Sequence, residues 1–302
     1  MKIQLEHIPC DLCGCETYTV RYRKPDTWLR INQFEFPIVE CTQCQLVYLN
    51  PRPTQESMGA YYPKDYHEDR NDDGFKARYK IQQDYLPALS NQVILDIGCA
   101  RGDFLNFLKE QYPALRTIGV DYFSDKVSYD FVEFHQCVLP DAPIASQSVD
   151  IATAWAVFEH LHTPSDYFQK VSEVLKPGGT FVFLVTNSES LYGKKAYVED
   201  IPRHTYHFSE HSLKQYAEKY GFKYTKCSYE KRLWDPTGRG TYLYKLLFMF
   251  GFTWEKWYLK KNIPFQKLIA KIGRKIDNFV FRTHWEADKR ASGIIIVEFT
   301  KK

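Results

Sequence analysis

The 302-residue chain contains no run of about 18 apolar residues that would span a bilayer. Its opening also lacks the basic-then-apolar pattern of a secretory leader. A cytoplasmic, reducing setting is therefore the expectation, and the eight cysteines read as thiols or metal ligands rather than a disulfide framework. Charge of one sign is missing too. The 40 Lys and Arg face 37 Asp and Glu, and a net +3 is too mild to argue nucleic-acid binding for the whole chain. Glycine does not form the three-residue fingerprint of a dinucleotide-binding turn, which disfavours a nicotinamide dehydrogenase.

The length allows one large α/β core plus a smaller module. The organising stretch runs from Val93 to Leu105. Val93-Ile94-Leu95-Asp96-Ile97 is an apolar run short enough for a buried strand, and Gly98 and Gly102 follow. Phe104, Leu105, Phe107 and Leu108 then recur at helical spacing. A strand, a glycine turn and a helix point backbone N–H groups at a ligand beside the helix N-terminus. About 20 residues on, Asp121 ends the run Thr117-Ile118-Gly119-Val120, where a carboxylate could accept both hydroxyls of a ribose. Candidate strands at 93–97, 117–121, 131–135, 149–154 and 180–186 alternate with helical segments. Such alternation predicts a parallel sheet covered on both faces. The link from Asp121 to Phe131 leaves room only for a brief helix.

Cys10-x-x-Cys13 and Cys41-x-x-Cys44 form two chelating knuckles, and together they complete a four-thiolate zinc site. Four thiolates leave no open position, so this zinc is structural; Cys15 is a spare near the first knuckle that could replace Cys13. Residues 1–52 are thus a zinc-ribbon-like module. Residues 53–90 form a helical linker or cofactor lid, with Tyr61, Tyr62 and Tyr66 and a helix from Gly74 to Leu86. The tyrosines suit either closure over a ligand or aromatic packing.

Leu95-Asp96-Ile97-Gly98-Cys99-x-x-Gly102 resembles motif I of the class I S-adenosylmethionine-dependent methyltransferases in its Gly-Cys form. Phe158-Glu159-His160-Leu161 and Leu175-Lys176-Pro177-Gly178-Gly179 resemble two later segments of that family, in order. With the two Cys-x-x-Cys knuckles, the chain is similar over residues 8–225 to bacterial small-molecule and sugar methyltransferases. An adenine-N-methyltransferase would need an Asn/Asp-Pro-Pro-Tyr after strand four, and Ala154-Trp155-Ala156-Val157 is not that.

The resemblance implies an α/β, Rossmann-like, seven-stranded doubly wound sheet binding S-adenosyl-L-methionine. Asp96, Gly98, Cys99, Gly102, Asp121, Val138, Leu139 and Trp155 would hold this cofactor, Val138 and Leu139 beside the adenine. Ile201-Pro202-Arg203-His204-Thr205-Tyr206-His207-Phe208 resembles the family's acceptor-facing segment. Arg203, Tyr206 and His207 are substrate candidates from it, while His204, then His160, are candidates for the general base. The expected reaction is in-line methyl transfer to a small-molecule, sugar-nucleotide or lipid-linked glycan acceptor. A non-catalytic zinc adaptor and a zinc-ribbon RNA methyltransferase are the rival readings, with nucleic acid disfavoured because the positive charge does not surround the ribbon.

In this fold strands six and seven form a hairpin, and 222–229 and 294–299 look like them. The methyltransferase domain would then be 91–229 plus 291–302, with 230–290 a helical insertion. The insertion holds 14 Lys/Arg against 6 Asp/Glu, about +8. Over Pro264–Arg282, Phe265, Leu268, Ile269, Ile272, Ile276 and Phe279 share one helical face against Lys267, Lys271, Arg274 and Lys275. Residues 240–285 are therefore expected to pack on the core, to join two copies, or to lie on an anionic membrane at its inner face.

Overall fold

The structure is a computed structural model that describes residues 3–26, 31–62, 73–122, 128–190, 201–230, 233, 241–252, 262–280 and 293–302. In chain order the elements begin with β1 (Leu5–Glu6), β2 (Tyr18–Pro25), β3 (Glu35–Cys41), β4 (Val47–Leu49) and β5 (Arg52–Pro53). Helices α1 (Gln55–Met58) and α2 (Asp73–Gln83) follow. Next come β6 (Val93–Ile97), α3 (Asp103–Gln111), β7 (Arg116–Val120), β8 (Val132–His135), β9 (Val149–Trp155), α4 (Pro164–Val174) and β10 (Leu175–Thr186). The chain continues through β11 (Tyr206–His207), α5 (Glu210–Lys219), β12 (Phe222–Ser228), α6 (Thr241–Met249), α7 (Gln266–Val280) and β13 (Ile294–Lys301). Tyr66 and residues 123–127 of the short link lie outside the described residues.

Two compact units are present. One comprises Met1–Pro63, Thr186–Ser209 and Ser228–Ile295; the other comprises Lys64–Val185, Glu210–Cys227 and Ile296–Lys302. The second unit is built on a seven-stranded mixed sheet in the order β12-β13-β10-β9-β6-β7-β8. β6 lies parallel to β7 on one side and to β9 on the other. β7 continues in parallel to β8, and β9 to β10. The chain therefore runs outward from β6, returns, and runs outward the other way. Beside β6 the order reverses, and open α/β sheets bind ligands at the carboxyl ends of strands at such a point.

Strands covered on both faces read as continuous apolar runs, and β6, β7 and β9 are buried along most of their length. One core joins Ile94, Leu105, Leu108, Leu115 and Ile151, with Tyr79 and Leu86 packed against it. A second core is aromatic. Phe158, Phe168, Phe181, Phe183 and Phe299 meet with ring centroids 4.5–6.3 Å apart, and Tyr216 stacks on Phe168 at 4.6 Å. Much of the chain's aromatic content is thus spent on packing. The Leu-Lys-Pro-Gly-Gly segment turns as expected: pairing of β10 with β9 jumps from Leu175–Val149 to Thr180–Ile151, and Gly178 sits at φ 78°.

In the first unit an antiparallel sheet has the order β11-β4-β3-β2. Its core contains Phe36, Ile38, Val47, Leu49, Met58, Tyr61 and Ile201. β11 comes from the 201–208 segment, which adds an edge strand through Tyr206–Tyr48 and His207–Val47 pairing. Periodicity cannot show a two-residue strand, so this pairing is new with the structure.

The basic segment of this unit forms the helical hairpin α6–α7. An added Cβ at Gly273 would stand 2.5 Å from Leu243 Cα, so glycine is what lets the two helices close. Buried Asp277 of α7 accepts from the N–H groups of Tyr242 (2.8 Å) and Leu243 (3.1 Å) at the start of α6. A carboxylate there satisfies orphan donors and complements the helix dipole.

Phe168 touches most of the aromatic core, so Phe168→Ala should cost about 3–5 kcal/mol. Urea unfolding followed by near-ultraviolet circular dichroism measures this; a loss under about 1 kcal/mol would show that the rings do not pack as one body.

Candidate active site

After Ile97 the backbone turns through three left-handed residues, Gly98 (φ 70°), Ala100 (φ 48°) and Gly102 (φ 83°), before α3 begins. Gly98 has no room for a side chain: a Cβ would stand 2.5 Å from Val157 Cγ2. Ala100 has a Cβ and pays about 1–2 kcal/mol for this conformation. Its N–H donates to Asp121 Oδ2 at 2.9 Å, which helps to hold it there. The Gly98 and Cys99 N–H groups donate to Val120 O (2.8 and 3.2 Å), clamping the turn to the end of β7. Asp121 thus lies one residue past the end of its strand; its N–H donates to His135 O of β8 at 3.2 Å while its side chain is tied into the turn.

Cys99 turns inward. Its thiol is buried, and a Cβ on Gly119 would stand 2.7 Å from its Sγ. Burial, reinforced by the charges of Asp96 and Asp121, pushes the thiol pKa up. Cys99 therefore offers the site its backbone.

Asp96 is also buried and accepts the Thr153 hydroxyl at 2.7 Å from the residue directly opposite on β9. Burial raises its pKa to about 7; the Thr153 hydrogen bond opposes the rise and the Asp121 charge adds to it. Trp155 ends β9 with its ring edge-on to Phe104, centroids 5.6 Å apart. Its buried Nε1 has no hydrogen-bond partner among the described residues, whereas a buried indole N–H usually finds one. Ala156 follows at φ 58°. Left-handed alanines thus stand just beyond the ends of both β6 and β9, and such strain is typical of functional sites.

Val138 is half-buried, and Leu139 is fully buried in a short turn whose backbone hydrogen-bonds Tyr167. His160 is half-buried at the end of the single helical turn Phe158–His160 after β9. Sequence reasoning missed Thr153, Ala100 and Val157. Only the register opposite Asp96 singles out Thr153, and no sequence signal marks the other two.

The first unit contains the thiol cluster and the 201–208 segment. Cys10 and Cys44 Sγ are 3.3 Å apart, and Cys13 and Cys41 Sγ 3.5 Å apart. All four sulfurs lie within 4.8 Å of one another. Each knuckle closes on a left-handed residue: Gly14 N–H donates to Cys10 O, and Gln45 N–H to Cys41 O. The Gln43 and Cys44 N–H groups point at Cys41 Sγ. Cys15 Sγ instead lies 3.2 Å from the Thr17 hydroxyl, so the geometry favours Cys13 in the cluster. Burial raises the pKa of Cys10 and brings that of Cys44 to about 12.

Arg203, His204, Tyr206 and His207 are all buried. Arg203 Nη1 donates to Tyr61 O at 2.8 Å, and the Tyr206 hydroxyl accepts from Arg52 at 3.3 Å. Burial, with the charges of Lys24 and Arg21, lowers the His207 pKa to about 3 and keeps it neutral.

Asp96 has a testable pH signature. Its folded pKa of about 7 lies above that of an unfolded aspartate, near 4, so the folded state binds this proton more tightly. The resulting stability is complete below about pH 4 and lost as pH rises through about 7. Asn carries no such proton. Urea midpoints of wild type should therefore fall relative to Asp96→Asn between about pH 4 and 7, and parallel pH profiles would refute the shift.

Comparison with known proteins agrees with this geometry. Residues 74–226 match the family described as a methyltransferase domain. A probable S-adenosylmethionine-dependent methyltransferase of Mycolicibacterium smegmatis is 26% identical over 118 residues, 37% of this chain and 45% of that protein. A tRNA U34 carboxymethyltransferase of Desulfotalea psychrophila is 26% identical over 130 residues, 40% of this chain and 39% of that protein. These matches span less than half of the relatives' own length. Among solved structures, a chain of the Haloferax volcanii complex between the Trm112 methyltransferase activator and a methyltransferase aligns with TM-score 0.53 at 17% identity. That alignment covers 78% of this chain and 95% of that one, a likeness of fold. With a family match over half its length, seated on a Rossmann-like sheet and its glycine turn, the chain belongs to the S-adenosylmethionine-dependent methyltransferases.

Proposed function

We propose that the chain binds S-adenosyl-L-methionine at the β6–α3 turn and transfers its methyl group to a small-molecule, sugar-nucleotide or lipid-linked glycan acceptor. The observation that carries this reading is the strained turn tied to Asp121 through the Ala100 N–H. The turn keeps the backbone of Gly98 and Ala100 exposed beside a carboxylate suited to ribose hydroxyls, and the Trp155 N–H faces a buried gap in hydrogen bonding. Residues of this kind fit an adenosyl group. When bound, the cofactor supplies a methyl group already activated by its sulfonium charge.

The protein's task is then alignment. Fixing donor and acceptor as a near-attack pair contributes about 7–11 kcal/mol. Asp121 would anchor the ribose, and Asp96, braced by Thr153, would hold the turn in place. A general base adds about 10²–10⁴-fold when the acceptor must lose a proton. We assign that role to His204, with His160 as second choice, and the acceptor side to the segment containing Arg203, Tyr206 and His207.

The tRNA enzyme among the relatives raises an RNA acceptor. Charge speaks against it: residues 1–52, which include the thiol cluster, carry six Lys/Arg against six Asp/Glu, no electrostatic footprint for a polyanion. A scaffold without catalysis would have no reason to keep a strained turn.

Calorimetry with S-adenosylhomocysteine tests the cofactor site. Wild type should bind, and Asp121→Ala should weaken binding on the order of 10–100-fold through loss of charge-assisted hydrogen bonds. No heat from wild type would favour the scaffold. With an acceptor found by homocysteine release, His204→Ala should lower kcat 10²–10⁴-fold and leave homologue binding unchanged. Full turnover in that variant would remove His204 as base.

We also propose that Cys10, Cys13, Cys41 and Cys44 hold a structural Zn2+. Four thiols this close, three of them buried and Cys13 half-buried, are poorly placed as neutral groups and well placed as thiolates around one cation. Metal analysis should find one zinc per chain, and cobalt exchange should give the spectrum of a tetrahedral tetrathiolate. Cys41→Ser should lose the metal and the stability of the first unit, while Cys15→Ser keeps both. Metal retained by Cys13→Ser and lost by Cys15→Ser would put Cys15 in the place of Cys13.

A further inference from the structure

The hairpin α6–α7 directs its two faces in an unexpected way. Helix α7 packs through Ile269, Gly273 and Asp277, all buried. At about 100° per residue, Leu268, Ile272 and Phe279 fall on a separate stripe about 40° wide. These side chains are 46–73% exposed. Phe265, just before α7, and Met249 and Phe250, at the end of α6, are 59–78% exposed. Sequence periodicity alone would turn the Leu268 stripe toward a core. In the structure that stripe faces outward.

Charge indicates what covers it. Lys267, Lys271, Arg274 and Lys275 are all exposed and occupy the arc of α7 that adjoins the stripe. The acid of the helix, Asp277, is buried and engaged at the start of α6. The outward surface of α7 therefore combines bulky apolar side chains with four cations and no exposed acid among its described residues. A second copy docked on this face would bring the same cations together, which disfavours self-association. No described helix is long and apolar enough to cross a bilayer. An amphipathic helix of this kind suits the boundary of an anionic membrane, with apolar side chains in the acyl region and lysines at the headgroups.

We propose that α7, with the end of α6, is a docking surface for anionic phospholipid membranes. The inference rests on this hairpin alone and stands apart from the catalytic reading. Its test is flotation of the 302-residue protein, purified without chelators, with vesicles of phosphatidylcholine alone or mixed with phosphatidylglycerol. Binding should require phosphatidylglycerol and weaken as salt rises. Lys267→Gln/Lys271→Gln/Lys275→Gln should reduce partition on the order of 100-fold, from about 1 kcal/mol per basic residue. Leu268→Ser/Ile272→Ser/Phe279→Ser should also reduce it, with the S-adenosylhomocysteine affinity of both variants unchanged. Equal flotation by wild type and both variants, or no flotation with either vesicle, overturns the proposal. So does light scattering that shows a dimer dispersed by the serine variant, or vesicle binding abolished by an acidic protein partner that stays bound to the hairpin.

Discussion

A single hydrogen bond, from the Ala100 N–H to Asp121 Oδ2, organises the second unit's candidate site. It joins the turn after β6 to the residue after β7, so the ends of two neighbouring parallel strands are tied beside the β6–β9 boundary where strand order reverses. The bond helps to keep an alanine in a left-handed conformation that a free chain would leave. The rest of the site is built to leave that turn undisturbed. Gly98 and Gly119 give way where Val157 and Cys99 need space, and Asp96 is braced from β9 by Thr153.

Two buried carboxylates, one in each unit, serve opposite ends. Asp277 in the helical hairpin accepts two backbone N–H groups and closes a helix terminus. Asp96 has one hydroxyl partner and a neighbouring negative charge, so its proton is held to near neutrality. A carboxyl group kept partly protonated by its surroundings is an unusual feature near the carboxyl end of a buried strand. Its position beneath the glycine turn is the physical reason to link it with the ligand site.

Cysteine is used in three ways within one chain. Four thiols converge in a set suited to a metal, Cys15 hydrogen-bonds threonines beside them, and Cys99 fills space beneath Gly119. Aromatic residues divide similarly, between a packed core around Phe168 and exposed rings on the helical hairpin. Composition counts these residues but cannot assign them.

Local order along the chain was enough to find the parallel strands, the glycine turn and the paired knuckles, and to single out Asp121, whose side chain lies against that turn. Each depends on neighbours a few residues apart, through strand length, the conformational freedom of glycine or the bite of a Cys-x-x-Cys. The tertiary structure decided what depends on residues far apart in sequence. It placed Thr153 opposite Asp96, Val157 beneath Gly98, and Tyr206 and His207 on the edge of β4, and it turned Leu268, Ile272 and Phe279 outward. Register and helix rotation are set by how whole elements pack. A one-residue slip or a quarter turn leaves the local pattern unchanged while it replaces every contact.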